Sequence, residues 1–165
     1  MIIGEEKLRK IFNEYDNTQY QPCGIDLKLE KVELMSYNHF DEIGIIEEEK
    51  ILPNYCTVDP YYNNYYKLHK GYCYILDLGY IEIPTDTACF FWLRSTFARM
   101  GVFMSDAVGD AGFKGHIKVC IIPIFCDVNI KKGERVVQAV FIESKNSGTY
   151  NGTYQEVDGG EWIYE

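Results

Sequence analysis

"HIKVCIIPIF", residues 116–125, reads either as a helix or as a strand, and the fold follows from the choice. On a helix, His116 and Cys120 would stand one turn apart like a pair of metal ligands. The run is instead rich in Val, Ile and Phe, alternates apolar with polar positions and meets Pro123 near its end, which is the signature of a strand. On a strand the four residues from His116 to Cys120 span about 13 Å, so the two cannot share one metal ion.

The neighbouring segments read the same way. "GIDLKLEKVEL" (24–34), "YKLHKGYCYILDL" (66–78), "YIEIPTDTACFFWL" (80–93) and "VVQAVFIES" (136–144) are short runs of β-branched and aromatic residues bounded by Gly, Pro, Asn or Asp. Many short strands without alternating helices predict an all-β fold, a sandwich or barrel with the jelly-roll as one member of the class. One amphipathic helix is predicted at the N-terminus, where "EEKLRKIFNEY" (5–15) puts Leu8, Ile11, Phe12 and Tyr15 on one face. We read residues 1–165 as a single domain, with a helical segment over 1–20 and a flexible arm over 144–165, where core periodicity ends.

The 16 basic and 25 acidic residues give a net charge of −9. That balance argues against a nucleic-acid or membrane-surface binder, since both need a cationic footprint. Three of the four arginines nevertheless fall between positions 94 and 135, with Lys114 and Lys118 among them, so a local anion site is expected there. No apolar window is long enough to span a membrane and no secretory signal is evident, which predicts a soluble cytoplasmic protein. The six cysteines form no CxxC pair and are expected as buried free thiols.

Two stretches invite a functional reading and have a plainer one. The tyrosine-rich "DPYYNNYYKLHKGY" (59–72) could stack nucleobases, but strand edges and subunit contacts are the commoner home for amphipathic Tyr. "MSYNHFDEIGIIEEEKILPNYC" (35–56) carries no motif and is expected as an acidic solvated loop.

"WLRSTFARMG" (92–101) offers Ser95 as an N-cap, a single helical turn and Gly101 as a stop. Free N–H groups at such a turn, with Arg94 beside them, suit a phosphate, although a capped turn with a surface arginine has the same sequence. In "KKGERVVQAVFIE" (131–143) a turn at Gly133 enters a strand that sets Gln138 among valines, as a buried polar group needing partners or as a wet edge residue.

Taken in order, "CGIDL" (23–27), "RSTFARMG" (94–101), "AVGDAGFKGHI" (107–117) and "GERVVQAVF" (133–141) resemble the motifs of the trimeric dUTP diphosphatase and dCTP deaminase superfamily, with the archaeal-type dUTPases nearest in pattern. The resemblance implies a distorted jelly-roll, a homotrimer and active sites at subunit interfaces. It implies Asp110 as the catalytic carboxylate that positions the attacking water. Arg94 and Ser95, with Thr96, would hold phosphates, Gln138 would reach the triphosphate, and Asp26 would sit near the waters of a Mg²⁺ ion. Phe113 would pack under the sugar beside Ala107 and Val108, and Arg99 would help bind the ligand. Tyr150, Tyr154 and Gln155 are the tail residues that would close the site.

Within that superfamily the reaction divides at one position. The deaminases carry a glutamate ten residues after the motif aspartate, and here that position is Cys120. A thiol in an apolar strand is a poor proton relay, so hydrolysis of dUTP to dUMP and diphosphate is expected. A dCTP deaminase or bifunctional enzyme, and a nucleotide-binding regulator, remain the alternatives.

Overall fold

The computed structural model describes residues 1–36, 43–46, 49–145, 148–152 and 154–155. The chain opens with helix α1 (Glu5–Ile11), followed by β1 (Tyr20–Gln21), β2 (Gly24–Lys28) and β3 (Lys31–Ser36). A short hairpin of β4 (Gly44–Ile46) and β5 (Glu49–Ile51) leads to β6 (Asn54–Val58), β7 (Tyr65–Leu68), β8 (Tyr74–Glu82) and β9 (Thr87–Leu93). Helix α2 (Ser95–Arg99) precedes β10 (Val102–Met104), β11 (Ala107–Gly109), β12 (Lys114–Pro123), β13 (Val128–Lys131) and β14 (Arg135–Glu143).

Two antiparallel five-stranded sheets make the body, in the orders β1-β2-β14-β9-β11 and β10-β12-β8-β3-β6. The stretch 116–125 is a strand as far as Pro123, as its composition predicts: along β12 the residues at 115, 117, 119, 121 and 123 are buried and their neighbours are not. Ile121 and Val119 meet Phe91, Phe141, Ile25 and Leu76 in the core between the sheets. The fold is therefore all-β and sandwich-like.

Helix α1 is shorter than the apolar pattern over 5–15 suggests. It ends at Ile11, and Phe12 turns to an extended conformation (φ −118°, ψ 99°). Tertiary packing overrides the helical period here: the Phe12 ring packs at 4.8 Å on Phe141, and its carbonyl accepts the Tyr20 hydroxyl. What helix there is has Glu5 and Glu6 in the first turn and Arg9 and Lys10 in the last, complementing the helix dipole, with Glu5–Arg9 and Glu6–Lys10 ion pairs at 2.7 and 2.9 Å.

The cysteines depart further from expectation. Only Cys89 is buried; Cys23, Cys56 and Cys126 are exposed, and Cys73 and Cys120 lie between. Cys56 is on β6, an edge strand whose outer side faces solvent, and Cys126 is in the β12–β13 connection, so neither position has a core to enter. Tyr65 belongs to the small β7–β13 sheet and Tyr61 bridges to it, neither lining the cavity described below, and the Tyr61 hydroxyl donates to Asn129 Oδ1 at 3.0 Å. Among the described residues no helix is long and apolar enough to cross a membrane.

Candidate active site

Strand β11 pairs with β9 so that Val108 faces Phe90 and Gly109 faces Cys89. Asp110 then leaves the sheet in a tight turn closed by the Phe113 N–H donating to the Asp110 carbonyl at 3.1 Å. Two glycines make this turn possible. A Cβ on Gly109 would lie 2.3 Å from Ile83 Cδ1, and Gly112 adopts φ +80° with Thr149 Cγ2 only 2.4 Å from where its Cβ would be. The carboxylate of Asp110 is thereby pushed outward, exposed, with no hydrogen-bond or ion-pair partner among the described residues.

Asp110 lies at the edge of a cavity of about 370 Å³, a size suited to a small ligand. Its walls are mainly apolar: Ala107, Val108, Phe113, Tyr150 and Tyr154 contribute from the hairpin and the tail, and Ile75 from the outer face of the second sheet. The tail is held down locally. The Tyr150 N–H donates to the Ala111 carbonyl at 2.8 Å, and the Tyr150 and Phe113 rings meet edge-on at 5.4 Å. Gln155 bridges the Gly112 carbonyl and the Lys114 N–H at 3.1 and 3.2 Å. The described tail residues are thus docked on the hairpin, while 156–165, part of the expected flexible arm, lie outside the described residues.

Three lining residues, Leu52, Tyr55 and Glu33, had no sequence signal, and a fourth, Lys118, was expected only as part of a local anion site. Leu52 and Tyr55 come from the 35–56 stretch expected as a solvated loop; Leu52 follows the β4–β5 hairpin and Tyr55 lies in β6, and together they form one wall. Glu33 on β3 and Lys118 on β12 enter from strands that flank β8, paired at 3.3 Å. His116 also lines the cavity, its ring held by Nδ1 lying 3.0 Å from the buried Asp77 carboxylate, whose same oxygen accepts the Gly79 N–H at 2.9 Å.

The arginine cluster is elsewhere in the chain's own fold. Asp26 on β2 faces Gln138 on β14, which faces Trp92 on β9, so the three share the outer face of the first sheet. Arg94 Nε lies 3.0 Å and Arg135 Nη1 3.4 Å from Asp26 Oδ2, and Arg94 also donates to the Arg135 carbonyl at 3.1 Å. Both guanidinium groups lie within ion-pair distance, yet neither Asp26 oxygen has an aligned hydrogen bond. The arginines supply charge rather than directed bonds. Burial pushes the Asp26 carboxyl above its ordinary value, and the two guanidinium groups recover only part of that shift.

Arg94, Ser95, Thr96, Arg99, Gln138 and Asp26 do not line the cavity that holds Asp110. Ser95 is the first residue of α2 and not its cap, because Arg94 occupies the cap with an extended backbone (φ −64°, ψ 142°) and makes no side-chain cap bond. Asp26 is 1% exposed between two guanidinium groups, which does not fit a carboxylate ordering the waters of a metal ion.

Cys120, where the resemblance places the deaminases' glutamate, does not line the cavity, and burial, with contact to Cys73, pushes its thiol above the ordinary value. It is thus poorly placed and poorly tuned to shuttle a proton.

Residues 3–144 match the family model described as dCTP deaminase-like. The chain is 41% identical over 157 residues to the probable deoxyuridine 5'-triphosphate nucleotidohydrolase of Methanopyrus kandleri, covering 93% of this chain and 99% of that one. It is 32% identical to the deoxyuridine 5'-triphosphate nucleotidohydrolase of Methanocaldococcus jannaschii (94% and 99%), and 29% identical to the dCTP deaminase of Acidianus ambivalens (96% and 95%). The fold is similar to the 2'-deoxycytidine 5'-triphosphate deaminase of Agrobacterium tumefaciens, with a TM-score of 0.65 and 18% identity over 85% of this chain and 47% of that one.

Proposed function

The chain belongs to the dCTP deaminase-like family, and from that premise and the cavity's geometry we propose that it hydrolyses dUTP to dUMP and diphosphate. The observation that carries the reading is Asp110: an exposed carboxylate without a partner among the described residues, fixed by Gly109 and Gly112 at the rim of an apolar cavity of about 370 Å³.

The sugar packs on Phe113 and the base enters the cavity, leaving the triphosphate at the rim. Asp110 accepts a hydrogen bond from a water molecule and aligns it with the α-phosphorus. The water oxygen bonds to that phosphorus, the α–β bridging P–O bond breaks, and diphosphate leaves with the electron pair; the proton of the water passes through Asp110 to solvent. Bound Mg²⁺ supplies neutralisation of the phosphate charge. A flat aromatic ring under the sugar leaves little room for a 2'-hydroxyl, which favours deoxyribose.

A homotrimer is part of this reading. Among the described residues no arginine lines the cavity of one chain, while Arg94 and Gln138 sit on or beside the outer face of the first sheet, near the exposed Trp92 and its stacked neighbour Phe90 at 5.8 Å, and Ser95, Thr96 and Arg99 lie in helix α2, which follows β9. An apolar strip beside a cationic cluster suits burial against a second copy, whose Asp110 cavity the arginines would complete. Tyr150, Tyr154 and Gln155 close the nucleoside end. The reaction serves the cytoplasmic nucleotide pool.

Hydrolysis is favoured over deamination because Cys120 stands in place of the relay glutamate. A product assay with Mg²⁺ tests this: dUMP and diphosphate from dUTP support the reading, a deaminated product from dCTP replaces it with deamination, and no product from either replaces it with nucleotide sensing.

A further inference from the structure

Glu33 and Lys118 form an ion pair in a wall that is otherwise mostly apolar. They come from strands 85 residues apart in sequence, and the register puts them on the same face of the second sheet. Glu33 and Cys120 both face Ile75 on β8, and Lys118 faces Asp77, one pleat further along. Ile75 is a cavity-lining residue, so both side chains stand over the outer face of the sheet that floors the cavity.

The pair is substantially desolvated, with side-chain exposures of 14% for Lys118 and 25% for Glu33. Its N···O distances, 3.3 and 3.5 Å, are long beside the roughly 2.7–2.9 Å of a well-formed charged bond. An ion pair set in a mostly apolar wall contributes little to stability. Its charges are, however, what orients a ligand: a mostly apolar pocket selects its occupant through a few placed polar groups.

We propose that Glu33 and Lys118 read the pyrimidine ring, Lys118 Nζ donating to O4 and a Glu33 carboxylate oxygen accepting N3–H, and so select uracil over cytosine. This rests on the cavity being the nucleoside site. An ammonium group only donates and an ionised carboxylate only accepts. Uracil offers an acceptor at position 4 and a donor at position 3. Cytosine offers the reverse, so with the sugar held on Phe113 its amino group would meet the ammonium and its N3 lone pair the carboxylate. Thymine has the same edge as uracil and is not distinguished by the pair.

The test is kcat/KM for dUTP, N3-methyl-dUTP and dCTP hydrolysis on the parent, Glu33→Ala and Lys118→Met, with thermal melting as a check of folding. If Glu33 accepts N3–H, methylation at N3 costs the parent about 100-fold and Glu33→Ala only about 3-fold, because the variant has neither the acceptor nor the bulk that the methyl group opposes. Lys118→Met lowers kcat/KM for dUTP by about 10-fold or more and narrows the preference for dUTP over dCTP. A methylation penalty equal in the parent and Glu33→Ala overturns the assignment, as does an unchanged preference in Lys118→Met. Should Glu33→Ala fail to fold, Lys118→Met decides alone. A parent that hydrolyses no dUTP instead overturns the nucleoside-site reading, so the two failures are distinguishable.

Discussion

Tyr150 meets Phe113 edge-on, with ring centroids 5.4 Å apart and planes inclined by 71°. The contact ties the tail to the residue that the sugar would rest on, and the Ala111 carbonyl fixes Tyr150 through its own N–H at 2.8 Å. An edge-to-face pair of this kind contributes about 0.5–1.5 kcal/mol. Tyr150→Ala is therefore expected to raise KM for dUTP by about 3- to 10-fold with little change in kcat. The melting temperature should stay near that of the parent, because the ring is only half-buried. A fall in kcat with KM unchanged would assign Tyr150 to the chemical step instead.

Asp110→Asn keeps the size and the turn of the hairpin but removes the charge that aligns water. Turnover of dUTP is expected to fall by about 10²- to 10⁴-fold, with the dissociation constant for a non-hydrolysable dUTP analogue changed by less than about 3-fold. Single-turnover kinetics and calorimetric titration read the two quantities separately. Full activity in the variant rejects the role.

Arg94 serves two partners, the Asp26 carboxylate at 3.0 Å and, in the trimer reading, a phosphate of the neighbouring copy's substrate. Arg94→Lys retains a charge beside Asp26 but not the forked donor geometry. Affinity for the non-hydrolysable analogue should weaken by about 10-fold, in line with the loss of a charged hydrogen bond, while the fold survives. A mixing experiment separates the two roles: in trimers assembled from Arg94→Lys and Asp110→Asn chains, parental KM for dUTP returns only at sites where a parental Arg94 from one chain meets a parental Asp110 from another.

The buried Asp26 makes stability depend on pH in a stated direction. Its carboxyl is raised above the ordinary 3.8 by burial, so the folded state holds the proton more tightly than the unfolded chain. Its contribution is fully present below that value and is lost as pH rises through the folded pKa. Asp26→Asn removes this dependence. The stability of the variant relative to the parent, measured by urea unfolding at steps from pH 4 to pH 7, is expected to increase as pH rises. A difference that is constant across the range would mean that Arg94 and Arg135 fully compensate the buried charge.

The strands were legible because period-two alternation is local: 116–123 is a strand whatever it packs against, and so are 80–82 and 136–143. The turn at Asp110 has an equally local cause, since the glycines at 109 and 112 stand where side chains would obstruct it. Helix α1 was overextended because its apolar period runs on through Phe12 and Tyr15, whose partners Phe141 and Tyr20 draw the chain out of the helix. The cysteines were misjudged because composition reports how often a residue type is buried, not whether an edge strand or a loop has a core beside it.

The sequence by itself determined the all-β class, the turn that presents Asp110 and the motif residues on either side of it, since each depends on neighbours within a few positions. Only the tertiary structure decided which side chains share a cavity. The order β12-β8-β3 brings Glu33 to Lys118 across 85 residues, and the following strand, β6, carries Tyr55 into the same wall. The order β2-β14-β9 places Asp26 among Arg94 and Arg135 and away from Asp110. Strand order is set by burying apolar faces collectively, so polar residues are carried to their partners by the packing of residues that no local pattern connects to them.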